Sequence, residues 1–91
     1  MLFMTIATYE PSKRDAIIKR RLEKGRMTPR GMKVLGEWSA VGGGQVFMLV
    51  EVEKDIGTAA ALPWSDLMEF DIIPVAETEK TLRALRRRQR K

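Results

Sequence analysis

The sequence predicts an α+β fold in the order β-α-β-β-α-β: a four-stranded antiparallel sheet with both helices on one face, and an extra C-terminal basic helix or tail. Three observations predict it. The first strand-like run is apolar on both parities, two further runs flank three consecutive glycines, and helix signals occupy both segments between strands that are not joined by a hairpin.

Leu2 to Glu10 sets Leu2, Met4 and Ile6 on one side and Phe3, Ala7 and Tyr9 on the other, the pattern of a central strand covered on both faces. Pro11 and Ser12 open a helix, with Ser12 expected to cap it and Asp15 to complete a capping-box-like pair. Ile17, Ile18 and Leu22 mark its apolar face, and Gly25 ends it. Its other face carries Lys13, Arg14, Lys19, Arg20, Arg21 and Lys24, read as a solvated surface or as a polyanion-binding stripe.

Met32 to Val41 and Gln45 to Lys54 flank Gly42, Gly43 and Gly44, a hairpin signature. Pairing Val41 with Gln45 gathers Met32, Val34, Trp38, Val46, Met48, Val50 and Val52 on one apolar face, and sets Lys33 opposite Glu53. The opposite face then holds Lys33, Leu35, Glu37, Phe47, Leu49, Glu51 and Glu53, a mixed surface that seeks cover. Asp55 is placed to cap a second helical segment from Ile56 to Leu62, which Pro63 breaks, leaving Trp64 to Glu69 as a separate turn or short helix. Phe70 to Val75 reads as a fourth strand, and Pro74 assigns it to an edge or a bulge. From Thr78 a last helix can run to the terminus, anchored only by Leu82 and Leu85. The order is that of the split βαβ, ferredoxin-like arrangement, with a domain over residues 1–77 and a basic helix or tail over residues 78–91.

Charge is unevenly spread. Arg83, Arg86, Arg87, Arg88, Arg90 and Lys91 place six of the 17 basic side chains in the last nine positions, while residues 34–82 hold two basic and nine acidic ones. Folding buries only about 60–65% of the surface of so short a chain, so a homodimer or higher homo-oligomer is expected. With no Cys and no His, thiolate chemistry, disulfides and imidazole ligation or base catalysis are excluded. No metal or cofactor is expected, and the residues give no account of catalysis. The apolar start Met1 to Ala7 lacks a basic n-region and is too short for a signal segment, and nothing later is long enough to span a membrane. A cytoplasmic protein with no membrane partner is expected. Asn is missing and Gln appears only at 45 and 89, a depletion of thermolabile amides that suits a hot-living source.

The pattern Trp38, then Val46 to Glu51, then Trp64-Ser65-Asp66-Leu67, then Phe70 to Val75 resembles a family of small uncharacterised proteins in the dimeric α/β-barrel group. That group also contains antibiotic-biosynthesis-type monooxygenases and stress-responsive barrel proteins. The resemblance spans residues 1–76 and implies two sheets packed face to face across a two-fold axis, with a small-molecule cavity between each sheet and its helices. The chain departs from the pattern in its short second helix around Gly57 and Pro63, in its basic tail, and in lacking the His that several monooxygenase relatives use.

Tyr9, Trp38, Glu51 and Trp64 are the pocket candidates, since aromatic walls and one carboxylate can orient a small apolar ligand; the plainer reading makes the tryptophans core or interface filler and Glu51 a solvated strand residue. Arg83, Arg86, Arg87, Arg88, Arg90 and Lys91 are candidates for weak, non-specific nucleic-acid binding or for a structural contact that stabilises the oligomer. An RNA-recognition domain of the same element order is disfavoured, because Gly44 to Val50 lacks the basic start and paired aromatics of its motif.

Overall fold

The computed structural model describes residues 1–53 and 57–89. The expected caps and helix start at Asp55 and Ile56 lie outside the described residues, as do Lys54, Arg90 and Lys91. Strands β1 (Leu2–Thr8), β2 (Met32–Ser39), β3 (Gln45–Val52) and β4 (Glu69–Val75) form one sheet in the order β2-β3-β1-β4, and every pairing is antiparallel. This is the ferredoxin-like arrangement that the element order predicts. The two-sided apolar run β1 is an interior strand, and Pro74 lies on the edge strand β4, where its missing N–H leaves no gap in the sheet.

The helices α1 (Arg14–Lys24) and α2 (Gly57–Ala61) lie over one face of the sheet, and α3 (Thr78–Gln89) follows β4. The entry to α1 differs from the expectation. Ser12 lies inside a 3₁₀ turn, Pro11–Lys13, with no side-chain cap, and the α-helix begins only at Arg14. The cause is Pro11, which holds Glu10 extended at φ −77° and ψ 147° and makes Glu10 rather than Ser12 the residue before the first turn, so that the Lys13 N–H donates to the Glu10 carbonyl at 2.9 Å. Gly25 ends α1 as expected: its φ is 69° and its N–H donates to the Arg21 carbonyl at 2.9 Å. Pro63 ends α2 as a second 3₁₀ turn, Leu62–Trp64, and the Trp64 carbonyl then accepts from the Leu67 and Met68 N–H groups, each at 3.0 Å, so Trp64 also opens the turn that follows.

The hairpin corrects the predicted register. The Ala40 N–H donates to the Gln45 carbonyl and the Gly43 N–H to the Ala40 carbonyl, each at 2.9 Å, with Gly43 and Gly44 at φ 83° and 88°. The loop therefore closes at Ala40 and Gln45, not at Val41. Trp38 then faces Phe47 and Glu37 faces Met48, while beyond an irregularity between Val34 and Gly36 the register steps by one, so that Val34 faces Val50 and Lys33 faces Glu51 rather than Glu53. One extra residue at Leu35 reverses the side on which later side chains emerge. Glu37 and Ser39 consequently point toward the helices, and Trp38 toward the uncovered face.

The buried apolar side chains among the described residues are Ala7, Val50, Val52 and Trp64. The apolar face of α1 is not packed in the same way: α1 has no buried residue, and Leu22 is 81% exposed. Among the described residues no helix is long and apolar enough to cross a membrane.

This contrast predicts unequal costs. Val50→Ala should lower stability by about 2 kcal/mol, from two lost methyls and incomplete collapse around them, whereas Leu22→Ala should change it by less than about 0.5 kcal/mol. Urea denaturation of the two variants measures both; equal losses would mean that α1 packs tightly on the sheet.

Candidate functional site

Between α1, the Leu62–Trp64 turn and the sheet lies a cavity of about 690 Å³. Strand alternation builds its floor, because Thr5 and Ala7 of β1, Val46 and Met48 of β3 and Phe70 and Ile72 of β4 all emerge on the helix side. Ile17, Ile18 and Leu22 of α1 form one wall, and Trp64 and Met68 another.

Trp64 is fixed from several directions. It is only 6% exposed, its indole N–H donates to the Arg26 carbonyl at 3.1 Å, and the Arg20 guanidinium sits 5.7 Å from its ring centroid. Arg20 in turn holds Asp66 by two parallel bonds of 2.7 and 2.8 Å and donates to the Pro63 carbonyl at 2.8 Å. The hydrogen bonds from Arg20 hold the Asp66 carboxyl down at about 2, against an ordinary 3.8.

A second charged group stands in the cavity wall. Arg21 grips Glu37 through both carboxylate oxygens at 2.6 and 2.7 Å, and Arg26 adds two longer bonds of 3.1 and 3.2 Å to one of those oxygens. The Glu37 side chain is 16% exposed. Its carboxyl is held below the ordinary glutamate range, first by the hydrogen bonds from Arg21, against an opposing push from burial.

The four pocket candidates separate into two pairs. Tyr9 and Trp64 line the cavity. Trp38 lies on the opposite face beside Phe47, its ring over Gly36 so closely that a Cβ there would meet the indole at 2.5 Å. Glu51 is also on that face, where it accepts a bond of 2.9 Å from the N-terminal ammonium of Met1. Arg83, Arg86, Arg87 and Arg88 are exposed along α3, and none of them is among the residues lining the cavity. Sequence reasoning missed Glu37, Arg21 and Arg26 as a group. Nothing in the local pattern ties Arg21 to a residue 16 positions away, and the bulge at Leu35 moved Glu37 off its expected face. Arg20 and Arg21, read as part of a free cationic stripe, are instead engaged by Asp66 and Glu37.

Among the described residues no group of three or more acidic side chains is placed to hold a metal ion. A family model described as Domain of unknown function (DUF3303) matches residues 1–89, and the chain belongs to that family. No curated protein and no solved structure matches the chain.

Both acidic groups have depressed folded values, so each contributes stability that is fully present above its unfolded value and is lost as pH falls through its folded one. Glu37→Gln should cost about 1–2 kcal/mol at pH 7, as expected for a partly buried charge-assisted pair, and its deficit should shrink once the pH falls below the ordinary glutamate range. For Asp66→Asn the deficit should shrink between pH 4 and about 2. Denaturation midpoints across pH 2–7 test this; deficits independent of pH would show that neither carboxylate is paired in solution.

Proposed function

We propose that this member of the family is a homodimer that binds one small apolar molecule in the cavity between its sheet and helices. The observation that carries the reading is the cavity itself: about 690 Å³, open to solvent on one side and lined by Ala7, Ile17, Val46, Met48, Ile72 and the ring of Trp64, within the roughly 300–1,000 Å³ range of small-molecule sites. The reading assigns binding and no reaction. Tyr9 and Trp64 serve as walls of the site, whereas Trp38 serves the assembly.

The uncovered face supports the dimer. It carries Leu2, Met4 and Ile6 of β1, Phe47 and Leu49 of β3, and two side chains that remain open to solvent, Ile73 at 44% and Trp38 at 55% exposure. Charged groups, Lys33, Glu51, Glu69 and Asp71, border this apolar strip. A face of this kind, with a polar rim, suits burial against a second copy across a two-fold axis.

A second reading draws on α3, where Arg83, Arg86, Arg87 and Arg88 are exposed and in no ion pair among the described residues. These cations suit non-specific contact with nucleic-acid phosphates. The half-exposed Leu82 and Leu85 on the same helix favour instead a contact that steadies the oligomer.

Three results are expected. In Trp38→Phe, Trp64 is the remaining tryptophan and should transfer energy to the neutral dye N-phenyl-1-naphthylamine with saturation near one dye per chain. Val46→Phe in that background should abolish the transfer, and absence of saturable transfer in the parent would remove the ligand-binding reading. Leu49→Lys should convert the dimer to a folded monomer by sedimentation; an unchanged dimer would place the interface elsewhere. Deleting residues 83–91 should remove salt-sensitive DNA binding and leave the dimer intact if the tail meets nucleic acid, and should dissociate the dimer if the tail is structural.

A further inference from the structure

The charges around the cavity do not balance. Three guanidinium groups line it, Arg14, Arg21 and Arg26, and Glu37 is the one carboxylate among the described lining residues. Pairing Glu37 with one cation leaves an excess of positive charge beside an apolar interior. An uncompensated cation next to low-dielectric surface raises the affinity of that place for an anion.

The geometry distinguishes the two arginines on Glu37. Arg21 presents a fork, with one nitrogen on each oxygen at 2.6 and 2.7 Å, which is the strong bidentate arrangement. Arg26 places two nitrogens on the single oxygen that already accepts from Arg21, at 3.1 and 3.2 Å. It is the second cation on a carboxylate that Arg21 has already neutralised. Its side chain is 42% exposed against 40% for Arg21, so the bond geometry and not exposure separates the two. Its backbone is held in place from the interior, because its carbonyl accepts the Trp64 indole N–H.

We propose that Arg26 is the head-group reader of this cavity and that the ligand class is a carboxylate on an apolar body, its carboxylate on Arg26 and its tail against Trp64, Met48 and Ile72. This inference rests on the ligand-binding reading above and deepens it by giving the apolar molecule an anionic head. Arg21 remains on Glu37 throughout, so the tie between α1 and β2 survives occupancy. The ligand carboxylate takes over the weaker of the two guanidinium contacts, and the long bonds from Arg26 to Glu37 are the ones given up. An uncharged head group would gain nothing from the excess charge, and a cationic one would be repelled by it.

Calorimetric titration of the full chain with octanoate and with octan-1-ol, which share a tail length and differ in head group, tests the assignment. Octanoate should bind about tenfold more tightly, the scale of one additional charge-assisted contact at a partly exposed site, and the preference should narrow as salt is raised. In Arg26→Gln the two affinities should come within about twofold of each other, the loss falling on octanoate; Arg26→Lys should keep part of the preference, because the charge remains and the fork is lost. Circular dichroism of both variants confirms that the fold is retained. Equal affinities in the unaltered protein would overturn the head-group assignment and leave the apolar site standing. Binding of neither compound would remove the ligand-binding reading and this inference with it. A preference that persists undiminished in Arg26→Gln would show that another group reads the head.

Discussion

The first helix is joined to the rest of the domain by guanidinium–carboxylate bonds rather than by packed apolar side chains. Arg21 reaches across to Glu37 on β2, and Arg20 reaches to Asp66 and the Pro63 carbonyl in the turn after α2. A helix docked through Ile17, Ile18 and Leu22 would press on the sheet and fill the space beneath it. Long charged side chains act as struts, fixing position at a distance from the sheet. The cavity follows from that choice, and so does the small buried core, in which Trp64 takes the place that helix side chains usually occupy.

The sheet gives these struts their anchor points. Glu37 is available to Arg21 only because the extra residue at Leu35 turns it toward the helices, and the same step sends Trp38 to the opposite side. One irregularity therefore serves both faces, adding a carboxylate to the cavity and an aromatic ring to the uncovered strip. Gly36 completes the second effect, since the absence of a side chain there lets the Trp38 ring lie against the strand.

Much of the architecture was legible because it is written in residues with strong backbone preferences. Both parities of β1 are apolar, Gly25 stops α1, Pro63 divides the second helical segment, Pro74 belongs on an edge, and Gly43 and Gly44 turn the hairpin. The face of each residue in β2 was not legible. Alternation assumes an unbroken strand, and a bulge of one residue leaves no mark in the period while exchanging the roles of Glu37 and Trp38. Of the pocket candidates, Trp38 changes face for this reason, whereas Glu51 on β3 keeps the face that alternation gives it, and Tyr9 and Trp64 line the cavity. The cationic face of α1 was misleading in a related way. A run of Lys and Arg reads as solvated surface or polyanion stripe, and the partners that engage Arg20 and Arg21 lie 46 and 16 positions away. Long-range ion pairs have no local signature.

The central claim, that a guanidinium strut holds α1 to β2 across an open cavity, is tested most directly by nuclear magnetic resonance of the Arg21 side chain. Nitrogen-edited spectra at neutral pH should show its guanidinium protons resolved and slow to exchange, with a through-bond correlation to the Glu37 carboxyl carbon that disappears as that carboxyl is protonated. A guanidinium averaged by free rotation, with the Glu37 carboxyl titrating as an ordinary solvated glutamate, would contradict the account.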